Sequence, residues 1–313
     1  MLTVGGDAVL GTREAWKERA DAFPATLETQ GIDWPFGGLQ ELFSTDDMTF
    51  INLECVLKET SAGERKTKLY RFRGLPAYAQ CLTAGSVEQV NIANNHVIDY
   101  GQAGKTATIE ALQAEGIPYS GYGELYVWEK DGVKIGFAGC RETTYKGDKQ
   151  IIARETRQLR SLGCDVVIYT CHWGTEYAAL HNELQQEMAQ AAADAGVDIV
   201  IGGHPHVVQG IADVDGTVVL WSLGNLMFGG TIELDTFDAA LARITLQFDG
   251  NGYVGCRVSY VPILTSSLAA QGTNDYHPVL AEGQDAERIL AAIQADTAFP
   301  VTDEMSFTAR GMW

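Results

Sequence analysis

Val197-Asp198-Ile199-Val200-Ile201-Gly202-Gly203-His204-Pro205-His206 is an apolar run that stops at two glycines and then presents two imidazoles one residue apart. A short, nearly unbroken run of Val and Ile suits a strand covered on both faces, and hence a layered α/β protein with buried strands. Gly202 and Gly203 let the backbone turn sharply and approach a ligand with no Cβ in the way. Pro205 fixes its own φ and stiffens the link between the histidines. Imidazole is the commonest metal-ligating side chain, so the turn reads as a metal site at a strand end. An ordinary hydrogen-bonded loop has the same local sequence, and only ligands at other strand ends separate the two readings.

The alternation of short apolar runs with helix-like stretches extends over most of the chain, which predicts an α/β fold. Strands are expected over Leu2 to Gly5, Met48 to Leu53, Val87 to Ala93, Val133 to Ala138, Val166 to Cys171, Val197 to Ile201 and Thr217 to Leu223. The spacing predicts helices over Gln102 to Glu115 and Ala178 to Ala195, stopped by Gly116 and Gly196. Beyond Leu226, Ala239 to Asp249 and Gly252 to Ile263 alternate as a hairpin closed by Asp249-Gly250-Asn251-Gly252. Ser266 to Pro278 reads as loop and Ala286 to Ala295 as a last helix. There is no repeat, low-complexity tract or long linker, so residues 1–313 are expected to form one domain with an irregular C-terminal extension from about residue 265.

A chain of 313 residues with 46% apolar and 20% charged residues has the make-up of a globular protein with a substantial core. Its 41 acidic residues outnumber 22 basic ones, for a formal net charge of −19. Such a surface repels nucleic acid and anionic lipid at long range, and an anionic substrate would need a cation to offset that field. The six cysteines, at positions 55, 81, 140, 164, 171 and 256, show no Cys-x-x-Cys spacing and read as free buried thiols. The N-terminus opens on a strand-like run without a basic and apolar leader, and no apolar run reaches membrane-spanning length. As written the chain reads as soluble and cytoplasmic; one trimmed of its leader would read the same way.

Other strand ends carry polar residues as well. Asp7 follows Gly5-Gly6, where a carboxylate can face a ligand at the carboxyl edge of a sheet, or serve as a turn or cap aspartate. Glu54 follows Asn52-Leu53 and has oxygens enough to bridge two cations. Asn94-Asn95-His96, followed by Asp99, closes an apolar run with a polar load that is costly to bury without partners. His172 opens His172-Trp173-Gly174-Thr175-Glu176-Tyr177 in the corresponding place, and its aromatics would wall a pocket or cap the core. Ser222-Leu223-Gly224-Asn225 adds an amide near the same rim. His181 and His277 follow no strand and are assigned to the solvated surface. If these strands lie side by side, their ends converge. The mixture of carboxylate, amide and imidazole then suits one or two divalent ions of Mn, Fe, Zn or Mg better than a Cys-rich structural zinc.

The ordered set Gly-Asp, Asn-Leu-Glu, Ala-Asn-Asn-His-x-x-Asp-x-Gly, His-Trp-Gly-x-Glu-Tyr, Gly-Gly-His-Pro-His-Val-x-Gln and Ser-Leu-Gly-Asn resembles the CapA family of poly-γ-glutamate capsule biosynthesis proteins, within the calcineurin-like metallophosphoesterase superfamily. The resemblance runs from Asp7 to about Asn225. It implies a four-layer αββα sandwich with mixed sheets and metals at the strand ends. By the same resemblance Asp7 and His206 would hold a first metal, Glu54 would bridge, and Asn95, His172 and His204 would hold a second. His96 would be the general acid. Arg13, Asn94, Asp99, Trp173, Glu176 and Asn225 would contact substrate or support the ligands. The superfamily's first motif is Asp-x-His, whereas Val9 stands in its third position here, which leaves the first metal short of an imidazole. Family members are commonly anchored outside the cell, a location the N-terminus itself does not show.

The expected function is therefore a metal-dependent, phosphoesterase-like hydrolase connected to poly-γ-glutamate or a related cell-envelope polymer, acting on an anionic polymer or a phosphoester. A polymer-binding or export module with a reduced metal site, motivated by Val9, and a hydrolase of γ-glutamyl amide bonds are the competing readings. No nucleic acid and no membrane segment enter any of them.

Overall fold

The computed structural model describes residues 1–310. Two sheets lie face to face. One has nine strands, with Leu2–Val9 at its centre, flanked in parallel by Met48–Leu53 and Asn225–Phe228 and in antiparallel by Asp238–Asp249. The other has six, built on the parallel run Val133–Arg141, Val166–His172, Ile199–Gly203 and Thr217–Leu220. Leu2, Val4, Met48 and Phe50 of the first sheet and Ile135, Phe137, Ile168, Ile201 and Leu220 of the second share one apolar core.

Each sheet buries its other face under helices. Phe23 and Leu27 of helix Phe23–Gln30, and Leu112 of helix Gly101–Ala114, pack on the nine-stranded sheet with Ile51 and Val90. Ile152 and Leu159 of helix Ile151–Ser161, with Met188 and Ala192 of helix Glu183–Ala195, cover Val167, Tyr169 and Val200 of the other. The result is the expected αββα order. Strands buried on both faces explain why Ile199–Ile201 and Val166–Ile168 read as continuous apolar runs rather than as alternation.

Several boundaries differ from expectation, for local reasons. Leu2–Val9 runs four residues past Gly5, so Asp7 lies inside the strand and not beyond it. The expected helix Ala178–Ala195 begins only at Glu183, where Asn182 accepts from the Gln185 N–H and the Gln185 side chain accepts from the Asn182 N–H. Residues 178–182 are thereby left outside the helix and, with 174–177, form a loop over the carboxyl end of the sheet. The strand expected to Leu223 stops at Leu220, and the chain then crosses between sheets to begin Asn225–Phe228. The segment after residue 265 is more regular than expected: Val279–Leu280 and Met305–Thr308 both pair with Gly252–Leu264, and the helix there spans Gly283–Ala295. Residues 311–313 of that extension lie outside the described residues. All six cysteines are free and buried.

Candidate metal centre

The strand ends do not converge within one sheet. Asp7, Glu54, Asn95 and His96 come from the nine-stranded sheet and its loops, His172 and His204 from the six-stranded one, and the cluster forms where the two carboxyl edges face each other. The close stacking depends on the glycines. A Cβ on Gly202 would stand 2.0 Å from the Trp221 carbonyl oxygen, and one on Gly203 would stand 2.7 Å from Asp7 Oδ1.

Asp7, fully buried, accepts hydrogen bonds from Asn52 Nδ2 at 2.7 Å and from the His204 N–H at 2.9 Å, and His206 Nδ1 lies 3.4 Å from its Oδ2. Asn52 in turn accepts from Asn91 and Asn94, at 2.7 and 3.1 Å. Asn94 also donates to the Leu53 carbonyl and accepts from the His96 and Val97 N–H groups, so it shapes the turn that carries Asn95 and His96. His172 Nε2 lies 2.7 Å from Asn95 Oδ1 and 3.3 Å from Glu54 Oε1. Donor atoms bound about 2.1 Å from one ion lie roughly 3.0–3.4 Å apart, which the His172–Glu54 separation matches, whereas His172 and Asn95 stand at hydrogen-bond distance. Neither oxygen of the fully buried Glu54 carboxylate has a hydrogen-bond partner, and the buried Nδ1 of His204 has none. An unpaired buried carboxylate is costly unless a proton or a cation neutralises it, and with imidazole and amide donors around it the set fits a metal centre. Ligand atoms of Glu54, His172 and His204, and likewise of Asp7, Glu54 and His206, all lie within 4.8 Å of one another.

Electrostatics separate the groups. Burial, and then the charge of Asp7, push Glu54 up to about 8. Burial pulls His172 down to about 3 and, with the charges of His172 and His206 added, His204 down to about 3. Both imidazoles are thus neutral and ready to ligate. Burial would also lower His206, but Glu54 and Asp7 outweigh it and raise it to about 9. Burial opposes ionisation of Asp7 too, yet the His206 hydrogen bond and the charges of His172 and His206 hold it below the usual carboxylate range.

His96 stands at the edge of this cluster. Its Nδ1 donates to Asp99 Oδ2 at 2.6 Å, which aims Nε2 inward, 4.0 Å from Glu54 Oε1, and its ring stacks on Phe72. Lys68 donates to Asp99 Oδ1 at 2.6 Å and to the Asn95 carbonyl at 2.8 Å. Its ammonium also lies 3.1 Å from His96 Nδ1. Two donors face each other there, and the shared Asp99 carboxylate holds them together. A cleft of about 450 Å³ opens from His96 and His206 toward Arg13, Trp16, Tyr70 and Glu176.

The sequence of residues 1–230 matches the model of a family described as bacterial capsule synthesis protein PGA_cap. The chain belongs to the PGA_cap family. It is 28% identical over 248 residues to the PGA biosynthesis protein CapA of Bacillus subtilis, covering 72% of this chain and 64% of that protein. It is 25% identical over 276 residues to the capsule biosynthesis protein CapA of Bacillus anthracis, covering 80% of this chain and 64% of that one. The chain therefore spans 64% of the length of these two relatives. Among solved structures it resembles the NAD nucleotidase of Haemophilus influenzae, with a TM-score of 0.46 and 14% identity over 88% of this chain and 52% of that one.

Within this PGA_cap chain some expected site residues lie elsewhere. Trp173 is enclosed in the core beneath the strand end, where its Nε1 donates to the Trp221 carbonyl at 3.0 Å, so its ring packs inward and does not wall the cleft. His181 and His277 are half-buried and held by neighbours, not free surface side chains. His181 stacks on Trp221 and lies 2.8 Å from Asp296, and His277 stacks on Trp34. Asn225 Oδ1 meets His206 Nδ1 at 2.9 Å. Asn52 and Lys68 are unforeseen members. An amide inside the apolar run Met48–Leu53 was the available sign for Asn52, because a buried amide demands partners. Nothing local marks Lys68. His204 and His206 hold φ values of +98° and +58°, strained for residues with a Cβ.

Among the described residues no helix is long and apolar enough to cross a membrane.

Proposed function

We propose that this chain is a metal-dependent hydrolase of phosphoester type that acts in the synthesis of poly-γ-glutamate or a related envelope polymer. The single observation carrying this reading is the Glu54 carboxyl group, fully buried and without a hydrogen-bond partner beside the neutral imidazoles of His172 and His204. Asp7 and His206 would hold a first ion, Asn95, His172 and His204 a second, and Glu54 would touch both. A bound divalent pair supplies an activated water and offsets charge that builds on the substrate.

The remaining work falls to side chains of the chain itself. His96 is placed to give a proton from Nε2 to a leaving oxygen, while Asp99 fixes its tautomer and steadies the imidazolium. Lys68 ties Asp99 to the Asn95 turn, which keeps the acid and a ligand in fixed relation. Asn94 and Asn225 support the ligands through Asn52 and His206. Arg13, whose guanidinium lies 4.0 Å from the Trp16 ring centroid and 4.3 Å from that of Tyr70, forms no salt bridge among the described residues and suits an anionic group of the substrate.

Purified protein loaded with Mn or Zn is expected to hydrolyse a generic phosphodiester or phosphomonoester, and His96→Ala to lower turnover by about a hundredfold with the ions retained. A protein that binds metal but turns over neither ester would leave the competing reading, a polymer-binding module with a reduced first site, which Val9 favours. Breakdown of poly-γ-glutamate itself would assign the amide bond instead.

A further inference from the structure

The strand that supplies Asp7 offers the first metal no imidazole. Val9 is fully buried in the apolar core and sits opposite Phe228, so Asp7, Glu54 and His206 are left as a three-residue set. A second set shares His206: ligand atoms of Glu176, His204 and His206 also lie within 4.8 Å of one another.

The backbone explains how Glu176 reaches this place. Gly174, at φ +85°, turns the chain after His172, and a Cβ there would press on the Gln185 side chain that caps the following helix. The next turn is pinned from the other side. The Tyr177 N–H donates to the Pro205 carbonyl at 2.7 Å, and Tyr177 takes φ +61° to do so. Residue 176 is thereby held against the residue that separates the two histidines, at the mouth of the cleft. His204, whose buried Nδ1 is unpartnered, belongs to this set as well as to that of Glu54 and His172, so Glu176 lies at the seam of the two positions.

We propose that Glu176 is a ligand of the first metal and takes the part that Val9 leaves unfilled. The inference rests on the reading of the cluster as a metal centre and concerns which residues complete it. It has a chemical consequence. With Glu176 added, Asp7, Glu54, Glu176 and His206 would form an oxygen-rich set, whereas Glu54, Asn95, His172 and His204 would hold the second ion with two imidazoles, so the first position would favour Mn or Mg where the second favours Zn. It also carries a third negative charge at the mouth of the site.

Metal content measured by mass spectrometry, together with Mn titration followed by electron paramagnetic resonance, tests this on the full chain. Wild type is expected to bind two ions per chain, and Glu176→Gln one, with Mn affinity at the lost position weakened at least tenfold and the Zn-preferring position unchanged. Glu176 is exposed, so the variant is expected to fold, and an unchanged Tm of the metal-free form checks this. Two ions at wild-type affinity in Glu176→Gln would overturn the assignment of Glu176 while leaving the metal centre intact. Loss of both ions would overturn it as well, because Glu176 would then act on the whole cluster. A wild-type chain that takes up neither Mn nor Zn would overturn the metal centre itself.

Discussion

At the scale of the residue, the cluster is a set of groups whose charge states oppose their surroundings until a cation arrives. Glu54 at about 8 and His206 at about 9 hold protons at neutral pH, whereas His172 and His204, at about 3, hold none. A cation must displace the protons on Glu54 and His206 and meets no competition at the other two. Metal affinity is therefore expected to fall as pH drops through 9 and then 8, by up to a hundredfold per pH unit once both groups are protonated. Calorimetry of Mn binding in buffers of different ionisation enthalpy would report release of up to two protons per chain at pH 7. A pH-independent affinity between 6 and 9 would contradict this account. The same groups also bear on stability without metal. The folded state binds a proton on Glu54 that the unfolded chain, near 4.5, has released, so this contribution to stability is present below 4.5 and lost as pH rises toward 8.

At the scale of the element, the site depends on how closely two strand edges approach. Strand Ile199–Gly203 pairs with Val166–His172 through Gly203 opposite His172, and its glycines face Trp221 and Asp7 at distances no side chain could share. Gly202→Ala forces a methyl group against a backbone oxygen that cannot swing away. It is expected to destabilise the protein by about 3 kcal/mol in urea unfolding and to lower metal uptake along with it. A loss under about 0.5 kcal/mol, the scale of an ordinary surface substitution, would show that the edge is pliable. The strained φ values at His204 and His206 belong to the same element, since the turn after the strand must bring both rings back over the sheet edge.

At the scale of the whole molecule, a net charge of −19 surrounds a cleft whose cations are few: Arg13 at its wall and Lys68 behind His96. Poly-γ-glutamate would be repelled by this surface at long range and attracted only where ions sit. Retention of the polymer on immobilised protein is accordingly expected to require Mn or Mg and to drop at least tenfold with EDTA. Retention that EDTA leaves untouched would place polymer binding away from the metal centre. The layered α/β class and the parallel strands were legible in the chain itself, because strands buried on both faces must be continuously apolar, and the polar residues Glu54, His172 and His204 stood out at or just past the ends of such runs; the αββα order was implied only by the family resemblance. Val9 stood out only against the family resemblance, as the position where its motif has an imidazole. What only the tertiary structure decided is how the ends meet: across two stacked sheets, through glycines that admit the contact, with Lys68 recruited from a segment that carries no local sign, and with Trp173 turned into the core. The residue types are set by local burial and backbone geometry, which a run of neighbours records. The partners are set by packing between segments far apart in the chain, such as Asp7 and His204, 197 residues away, and no local pattern encodes that distance.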